Sequence, residues 1–339
     1  MNTPKNRNES PRFATLFSAL IGVALLGGAC GQRPETAFSD LDQTSPGYTR
    51  KASASNGQDI ALGAFNVLRL GQGEKNIKRL AAVIDKAKYD VFAAVEIMKP
   101  EAADELLQAL RTKTGRDWRL ALSPSASGEG AYKEYNGFFY RAEAVKAEMP
   151  SAAYCRSNLG TENTGSTCFA RDDDGKFERD PFVGHFKVHG VSVALISVHL
   201  IYGETVKGRK DEAMVLRDVM DDVQKKTPGA NVFLMGDFNL TVSSDDDAPE
   251  PLFTRYTLES MPKEVFSKGP LVNGLFDGIT TLGSSSYDHI LVYENMNGKL
   301  VPGTDKVVSD INEDNAAQRA LFKAEVSDHY AVAARFKFH

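Results

Sequence analysis

The sequence predicts an α/β sandwich of four layers, two mixed β-sheets packed against each other with helices on both outer sides. Apolar runs of strand length alternate with longer amphipathic segments from residue 60 onward. His189-Gly190 separates two of these runs, and a two-residue turn containing glycine makes an antiparallel hairpin, which excludes a purely parallel doubly wound sheet. No change of composition and no internal repeat interrupts the pattern, so residues 59–339 read as one domain.

The 339-residue chain opens with Lys5, Arg7 and Arg12 around one acid, Glu9, followed by an uncharged run at 13–29. That run ends Leu25-Leu-Gly-Gly-Ala-Cys30, too short and soft-ended for a comfortable membrane span. A basic start, an apolar stretch and small residues before a cysteine predict a signal peptide, residues 1–29, of lipoprotein type with the lipid on Cys30. Secretion without the lipid is the alternative. Residues 30–58 are polar, with scattered Pro, Ser and Gly, and predict a flexible linker.

The formal charge is −5, from 40 Lys and Arg against 45 Asp and Glu, and removing residues 1–29 takes away three bases and one acid to leave −7. No overall positive field gathers nucleic acid, so any such contact needs a local patch. Besides Cys30 the chain has two cysteines, Cys155 and Cys168, in a polar, Gly-rich stretch. An oxidising compartment favours a disulfide between them. Closing a loop of this size stabilises the fold by about 3 kcal/mol in the chain-entropy model.

Within the domain, strands are predicted at 60–65, 91–95, 137–140, 181–188, 191–198, 232–235, 290–292 and 330–338. Residues 76–87 place Ile77, Leu80, Ala81, Ile84 and Ala87 on one helical face, and 101–110 and 209–223 behave alike, as helices covering sheets do.

Several predicted strands deliver a polar side chain at their C-terminal end: Asn66, Glu96, His199, and Asp237 with Asn239. Two later strands instead begin just after Asp288 and just after Asp328-His329. If these run antiparallel to the first group, all of these side chains meet on one rim. Asn66, Glu96, Asp237, Asn239, Asp288 and Asp328 are hard oxygen donors with too few thiols or imidazoles for zinc, a set that suits magnesium, manganese or calcium. His199 and His329 fit acid and base roles near neutral pH.

Six blocks in order carry a resemblance: Tyr132-Lys-Glu-Tyr-Asn-Gly-Phe-Phe-Tyr-Arg141, Arg179-Asp-Pro-Phe182, Ser197-Val-His199, Gly236-Asp-Phe-Asn239, Tyr287-Asp288 and Ser327-Asp-His-Tyr330. Together they resemble the endonuclease, exonuclease and phosphatase superfamily, and within it deoxyribonuclease I. The resemblance implies a metal-dependent endonuclease that leaves 5′-phosphate ends, acting outside the cell on double-stranded DNA with Mg2+ or Mn2+. It implies Glu96 as principal metal ligand, with Asn66, Asp237, Asn239 and Asp328 on metal or scissile phosphate. His199 and His329 become the catalytic pair, oriented by Glu134 and Asp288. Arg179 and Tyr132 become DNA contacts.

Met98 stands where the family places a minor-groove arginine. A structural Ca2+ at Asp277 and Thr281 is implied in part, since Ile279 and Gly283 replace hydroxyl residues there. No protein partner is implied, and a membrane partner only through a lipidated Cys30. Two other readings remain: a phosphodiesterase of the same fold acting on sphingomyelin or another phospholipid, and an inactive binding module.

Overall fold

Long apolar runs form the central strands because both of their faces are covered. The computed structural model describes residues 58–148, 154–155, 165–172, 175–203, 206–240, 279–283, 285–293, 296 and 299–338. The predicted signal peptide, Cys30, nearly all of the linker and Asp277 lie outside them. Among the described residues the strands are β1 (Gln58–Leu70), β2 (Val91–Ile97), β3 (Trp118–Leu122), β4 (Tyr135–Arg141), β5 (Val145–Ala147), β6 (Thr167–Phe169), β7 (Phe182–Val188), β8 (Val191–His199), β9 (Asn231–Asp237), β10 (Asp288–Val292), β11 (Lys306–Val308) and β12 (Ala331–Phe338). The helices are α1 (Ile77–Ala87), α2 (Pro100–Thr114), α3 (Val206–Lys226) and α4 (Ala316–Glu325).

One sheet has the order β11-β12-β1-β2-β4-β3, the other β10-β9-β8-β7-β5, with β6 added on β7. The alternation of side chains along each strand sorts the apolar residues into three clusters. Ile60 and Leu62 of β1, Phe138 of β4, Phe186 of β7, Leu195 of β8 and Phe233 of β9 pack between the sheets. Ala194 and Ile196 of β8 with Leu234 of β9 face outward onto Leu216, Met220 and Val223 of α3. Phe65, Phe92 and Phe139 face outward onto α1, α2 and α4 through Leu80, Ile84, Leu106 and Phe322. Helix, sheet, sheet and helix are thus the predicted four layers.

Local sequence sets the ends. Asn76 caps α1 by accepting the Arg79 N–H at 3.0 Å, and Pro100 opens α2 while Gly115 closes it in the left-handed region. His189 and Gly190 both have positive φ, +47° and +88°, the turn whose twist matches an antiparallel hairpin, and β7 and β8 pair across it from Val188 and Val191. Cys155 and Cys168 are joined, with Cα atoms 5.4 Å apart. No helix among the described residues is long and apolar enough to cross a membrane.

Candidate active site

Strand direction and register assemble the site. In the second sheet β8 and β9 are parallel with His199 beside Asp237, and β10 is antiparallel to β9 with Asp288 on the other side of Asp237. Three chemically active side chains therefore end three neighbouring strands at one level. Gly236 permits this: a Cβ there would sit 2.0 Å from the Val198 carbonyl oxygen, and its φ is +141°. Beyond Asp237 the chain turns through Asn239, φ +50°, whose N–H donates to Asp237 Oδ1 at 2.8 Å and whose amide donates to the Leu200 carbonyl at 2.8 Å.

In the first sheet β1 and β2 are parallel and bring Asn66 beside Val95, one residue before Glu96. Glu96 holds φ +63°, a strained backbone of the kind that clusters at functional sites. β12 runs antiparallel to β1 and starts just after His329. Ser327 ties it down, donating to the Asn66 carbonyl at 2.6 Å and accepting the His329 N–H at 3.0 Å.

The two sheets meet at one oxygen. Asp237 Oδ2 accepts a hydrogen bond from Asn66 Nδ2 at 2.9 Å and lies 3.6 Å from His199 Nε2 and 3.5 Å from His329 Nε2. Asn66 Nδ2 also reaches Glu96 Oε1 at 2.9 Å, and His199 Nε2 is 3.9 Å from that same oxygen. Each imidazole turns its other nitrogen to a carboxylate. His199 Nδ1 lies 2.8 and 3.0 Å from the two oxygens of Glu134, and His329 Nδ1 lies 2.8 Å from Asp288 Oδ2. Both carboxylates are fully buried, and both Nε2 atoms face a cleft of about 630 Å³ lined also by Glu96, Asn239 and Asp328.

Charge inside this low-dielectric rim shifts proton affinities. Burial would raise Asp237, but His329, His199, the Asn66 amide and the Asn239 N–H together hold it below the usual carboxylate range. Burial would lower His329, yet Asp288 and then Asp237 outweigh it and push the ring up to about 10. For His199, burial and Arg179 work downward while Glu134 and Asp237 win, a net rise. Burial pushes Asp288 up to about 6 against the pull of His329.

The donor set fits a hard divalent cation. Glu96 and Asp237 aim carboxylate oxygens at the same Asn66 amide, and one atom each of Asp237, Asp288 and His329 lie within 4.8 Å of one another. Asp288 Oδ1 is buried with no hydrogen-bond partner among the described residues. The cluster built on Asp237, Asp288 and His329 differs from the ligand set that the resemblance implies, with Asp237 the member they share. The implied set of Glu96, Asn66 and Asn239 surrounds the same carboxylate. Asp328 lines the cleft with its carboxylate 3.1 Å from Lys323 Nζ. Thr281 pairs with His329 as an isolated bridge and exchanges hydrogen bonds through its hydroxyl with Ser285, while Asp277 lies outside the described residues.

Arg179 and Tyr132, the DNA contacts that the resemblance implies, lie against each other. Arg179 is buried and donates through Nε to the His199 carbonyl and through Nη2 to the Leu200 carbonyl, both at 2.9 Å. It therefore braces the His199 segment. Tyr132 is half-buried with its ring 5.8 Å from the Arg179 guanidinium and 5.5 Å from that of Arg69.

Two supporting residues escaped the sequence reading. Glu212, buried on α3, accepts the Glu178 N–H at 2.6 Å and the Ile201 N–H, and burial pushes its carboxyl up to about 7. Arg209, one turn earlier, donates to the Asn239 carbonyl at 3.1 Å and to the Tyr202 carbonyl. Their signal was present: both lie on the same helical stripe as Leu216, Met220 and Val223, where a charge has no reason to be without a buried partner.

The profile of the Endonuclease/Exonuclease/phosphatase family matches residues 63–329. The chain is 26% identical over 287 residues to deoxyribonuclease-1 of Bos taurus, covering 81% of this chain and 92% of that one. Among solved structures, an endonuclease/exonuclease/phosphatase family protein from Bacteroides thetaiotaomicron superposes with a TM-score of 0.52 at 16% identity, covering 83% of this chain and 96% of the other. TDP2 of D. rerio complexed with a single-strand DNA product gives 0.53 at 14% identity, covering 83% and 99%. At these identities the structural matches speak to the fold.

Proposed function

We propose, from the premise that this chain belongs to the endonuclease/exonuclease/phosphatase family and is a phosphodiester-bond hydrolase of nuclease type, that it is an exported endonuclease cutting double-stranded DNA to 5′-phosphate and 3′-hydroxyl ends. The observation that carries the reading is the Asp237 oxygen held between two imidazoles, each backed by a buried carboxylate. The similarity to a deoxyribonuclease-1, over 81% of this chain and 92% of that one, supports the choice of DNA. Export rests on the sequence of residues 1–29, with Cys30 as the lipidation site, and agrees with the disulfide.

Glu96, Asp237 and Asn66, with Asn239 and Asp328 nearby, would hold Mg2+ or Mn2+. Bound there, the ion supplies Lewis acidity at the scissile phosphate and offsets charge developing on its oxygens. The protein's own groups move the protons. His329 Nε2 takes the proton of the attacking water as the water oxygen bonds to phosphorus. His199 Nε2 gives its proton to the departing 3′ oxygen as the P–O bond breaks.

We assign the base to His329 and the acid to His199. Without the cation, Asp288, Glu134 and Asp237 hold both rings toward the protonated form, and a cation held at Asp237 would offset that carboxylate and free His329 Nε2 to accept a proton. Glu134 and Asp288 fix each ring with Nδ1 protonated and Nε2 turned to the cleft.

The test is incubation of the purified protein with supercoiled plasmid and Mg2+, with and without chelator, beside His329→Ala and a parallel sphingomyelin assay. Nicking that both chelator and substitution abolish is the expected result. Rapid sphingomyelin turnover with plasmid intact transfers the reading to a lipid phosphodiesterase, and inertness toward both points to a binding module.

A further inference from the structure

A second cavity of about 540 Å³ adjoins the cleft, and Glu96, Lys323 and Asp328 line both. Three cations from separate elements surround this second space. Arg69 comes from the distorted end of β1, Lys75 from the residue before the Asn76 cap of α1, and Lys323 from the last turn of α4. Resting on the nuclease reading above, we infer that the side cavity is a subsite in which Arg69, Lys75 and Lys323 hold the DNA phosphate neighbouring the scissile one.

Arg69 is exposed, its backbone bent to φ +49° and its N–H donating to Glu96 Oε2 at 3.0 Å. Its guanidinium lies against the Tyr132 ring, so the side chain stands at the cleft edge beside the principal implied metal ligand. Lys323 reaches Asp328 at 3.1 Å with its side chain 60% exposed, an ion pair that contributes little to stability and is free to rearrange.

Lys75 is the telling member. It is half-buried, the charges of Asp328 and Glu96 act on its ammonium, and its Nζ forms no hydrogen bond or ion pair among the described residues. A partly desolvated ammonium without a dedicated partner is costly unless an anion completes the site.

The charge balance favours an anion there. Glu74 also lines the side cavity, while Glu96 and Asp328 are carboxylates that the reading assigns to the cation, so its binding would leave three bases against one remaining acid. The next strand phosphate is the anion that a polynucleotide brings to such a place. A net charge of −5 leaves this protein without a global attraction for DNA, and Met98, two residues after Glu96, supplies no charge. The local patch that composition demands is this one.

The experiment uses the full chain carrying His329→Ala, so that DNA stays intact, and measures binding of a duplex oligonucleotide with Mg2+ from low to moderate salt. The parent is compared with added Lys75→Gln, Lys323→Gln, Arg69→Gln and the triple change. Each phosphate contact contributes about −0.9 to the slope of log K against log salt on duplex DNA, so the triple change, which removes the contact to one phosphate, is expected to flatten the slope by about 1. Lys75→Arg, which keeps the charge, restores it.

In the catalytically competent background, kcat/KM on duplex DNA falls further than kcat/KM on a dinucleotide, which has no second phosphate. An unchanged slope in a parent that binds DNA, or equal losses on both substrates, overturns the subsite. A wild-type chain that leaves DNA uncut overturns the nuclease reading instead.

Discussion

In the pair His199–Glu134 the histidine ends β8 of the second sheet and the carboxylate precedes β4 of the first, whereas in His329–Asp288 the histidine precedes β12 of the first sheet and the carboxylate opens β10 of the second. Each pair is thus a staple across the sandwich, pointing opposite ways, and the two meet at Asp237. Their supports differ in kind. The His199 segment is held by ionisable side chains: Arg179 on the His199 and Leu200 carbonyls, Glu212 on the Ile201 and Glu178 N–H groups, and Arg209 on the Asn239 carbonyl. The His329 segment is held by hydroxyls. Ser327 bridges Asn66 and His329, and Thr280 accepts the Tyr287 and Asp288 N–H groups at 2.8 and 3.0 Å. Two halves that look equivalent at the reacting atoms should therefore respond differently to pH.

The largest effect tests whether the halves act as one unit. His329→Ala and His199→Ala are each expected to lower kcat on DNA by about 10²–10⁴-fold, the usual range for a general acid or base. The double variant should lose far less than the product of the two, because neither proton transfer is useful without the other. Multiplicative losses in single-turnover kinetics would mean that the histidines act independently.

Glu212 supplies the next effect, and it belongs to the His199 side alone. Its carboxyl, pushed up to about 7 from an ordinary 4.5, keeps its proton in the folded state over a range where the unfolded chain has lost it. Stability contributed in this way is complete below about pH 4.5 and is lost as pH rises through 7. Wild type should therefore lose about 3 kcal/mol relative to Glu212→Gln across that window. Denaturant midpoints measured from pH 4 to 8 would show the two curves converging or crossing; a constant offset rules the idea out.

Smaller still is the difference between the two orienting carboxylates. Glu134 meets His199 with both oxygens, while Asp288 meets His329 with one and carries the larger share of that ring's raised proton affinity. Asp288→Asn should cost about tenfold more kcat than Glu134→Gln: an amide at 288 can present its NH2 to Nδ1 in place of the one oxygen there and stabilise the wrong tautomer, whereas Gln at 134 can keep an oxygen on Nδ1. Equal losses would make the pairs electrostatically equivalent after all.

How much of this was visible beforehand follows from burial. Strands such as β8 and β9, apolar on both faces, announced themselves, and their polar end residues followed by counting. β3, β5, β6 and β11 did not: Trp118–Leu122 keeps only Trp118 buried, and Lys306–Val308 only Val308, so neither shows an apolar run. α4 was missed because Phe322 is its one buried residue among those described. The register that puts His199, Asp237 and Asp288 in a row depends on long-range pairing, which strand ends suggest but do not determine. Arg69, Lys75 and Lys323 are farther from legibility, since 248 positions separate Lys75 from Lys323 and each alone is an ordinary surface base.

The smallest effect isolates the hydroxyl-held half. Ser327 is fully buried, and its hydroxyl joins the start of β12 to the end of β1 through the Asn66 carbonyl and the His329 N–H. Ser327→Ala leaves both backbone groups without this partner, which should cost about 1 kcal/mol of unfolding free energy. Nothing in that linkage ionises between pH 4 and 8, so the cost should be flat across the window in which the Glu212 difference changes. The two substitutions, measured in one titration series, give a sloped and a level line if charge supports one histidine and hydroxyls the other. A pH-dependent Ser327→Ala penalty would tie the hydroxyl to the titration of His329 or Asp288 and join the two halves into a single electrostatic system.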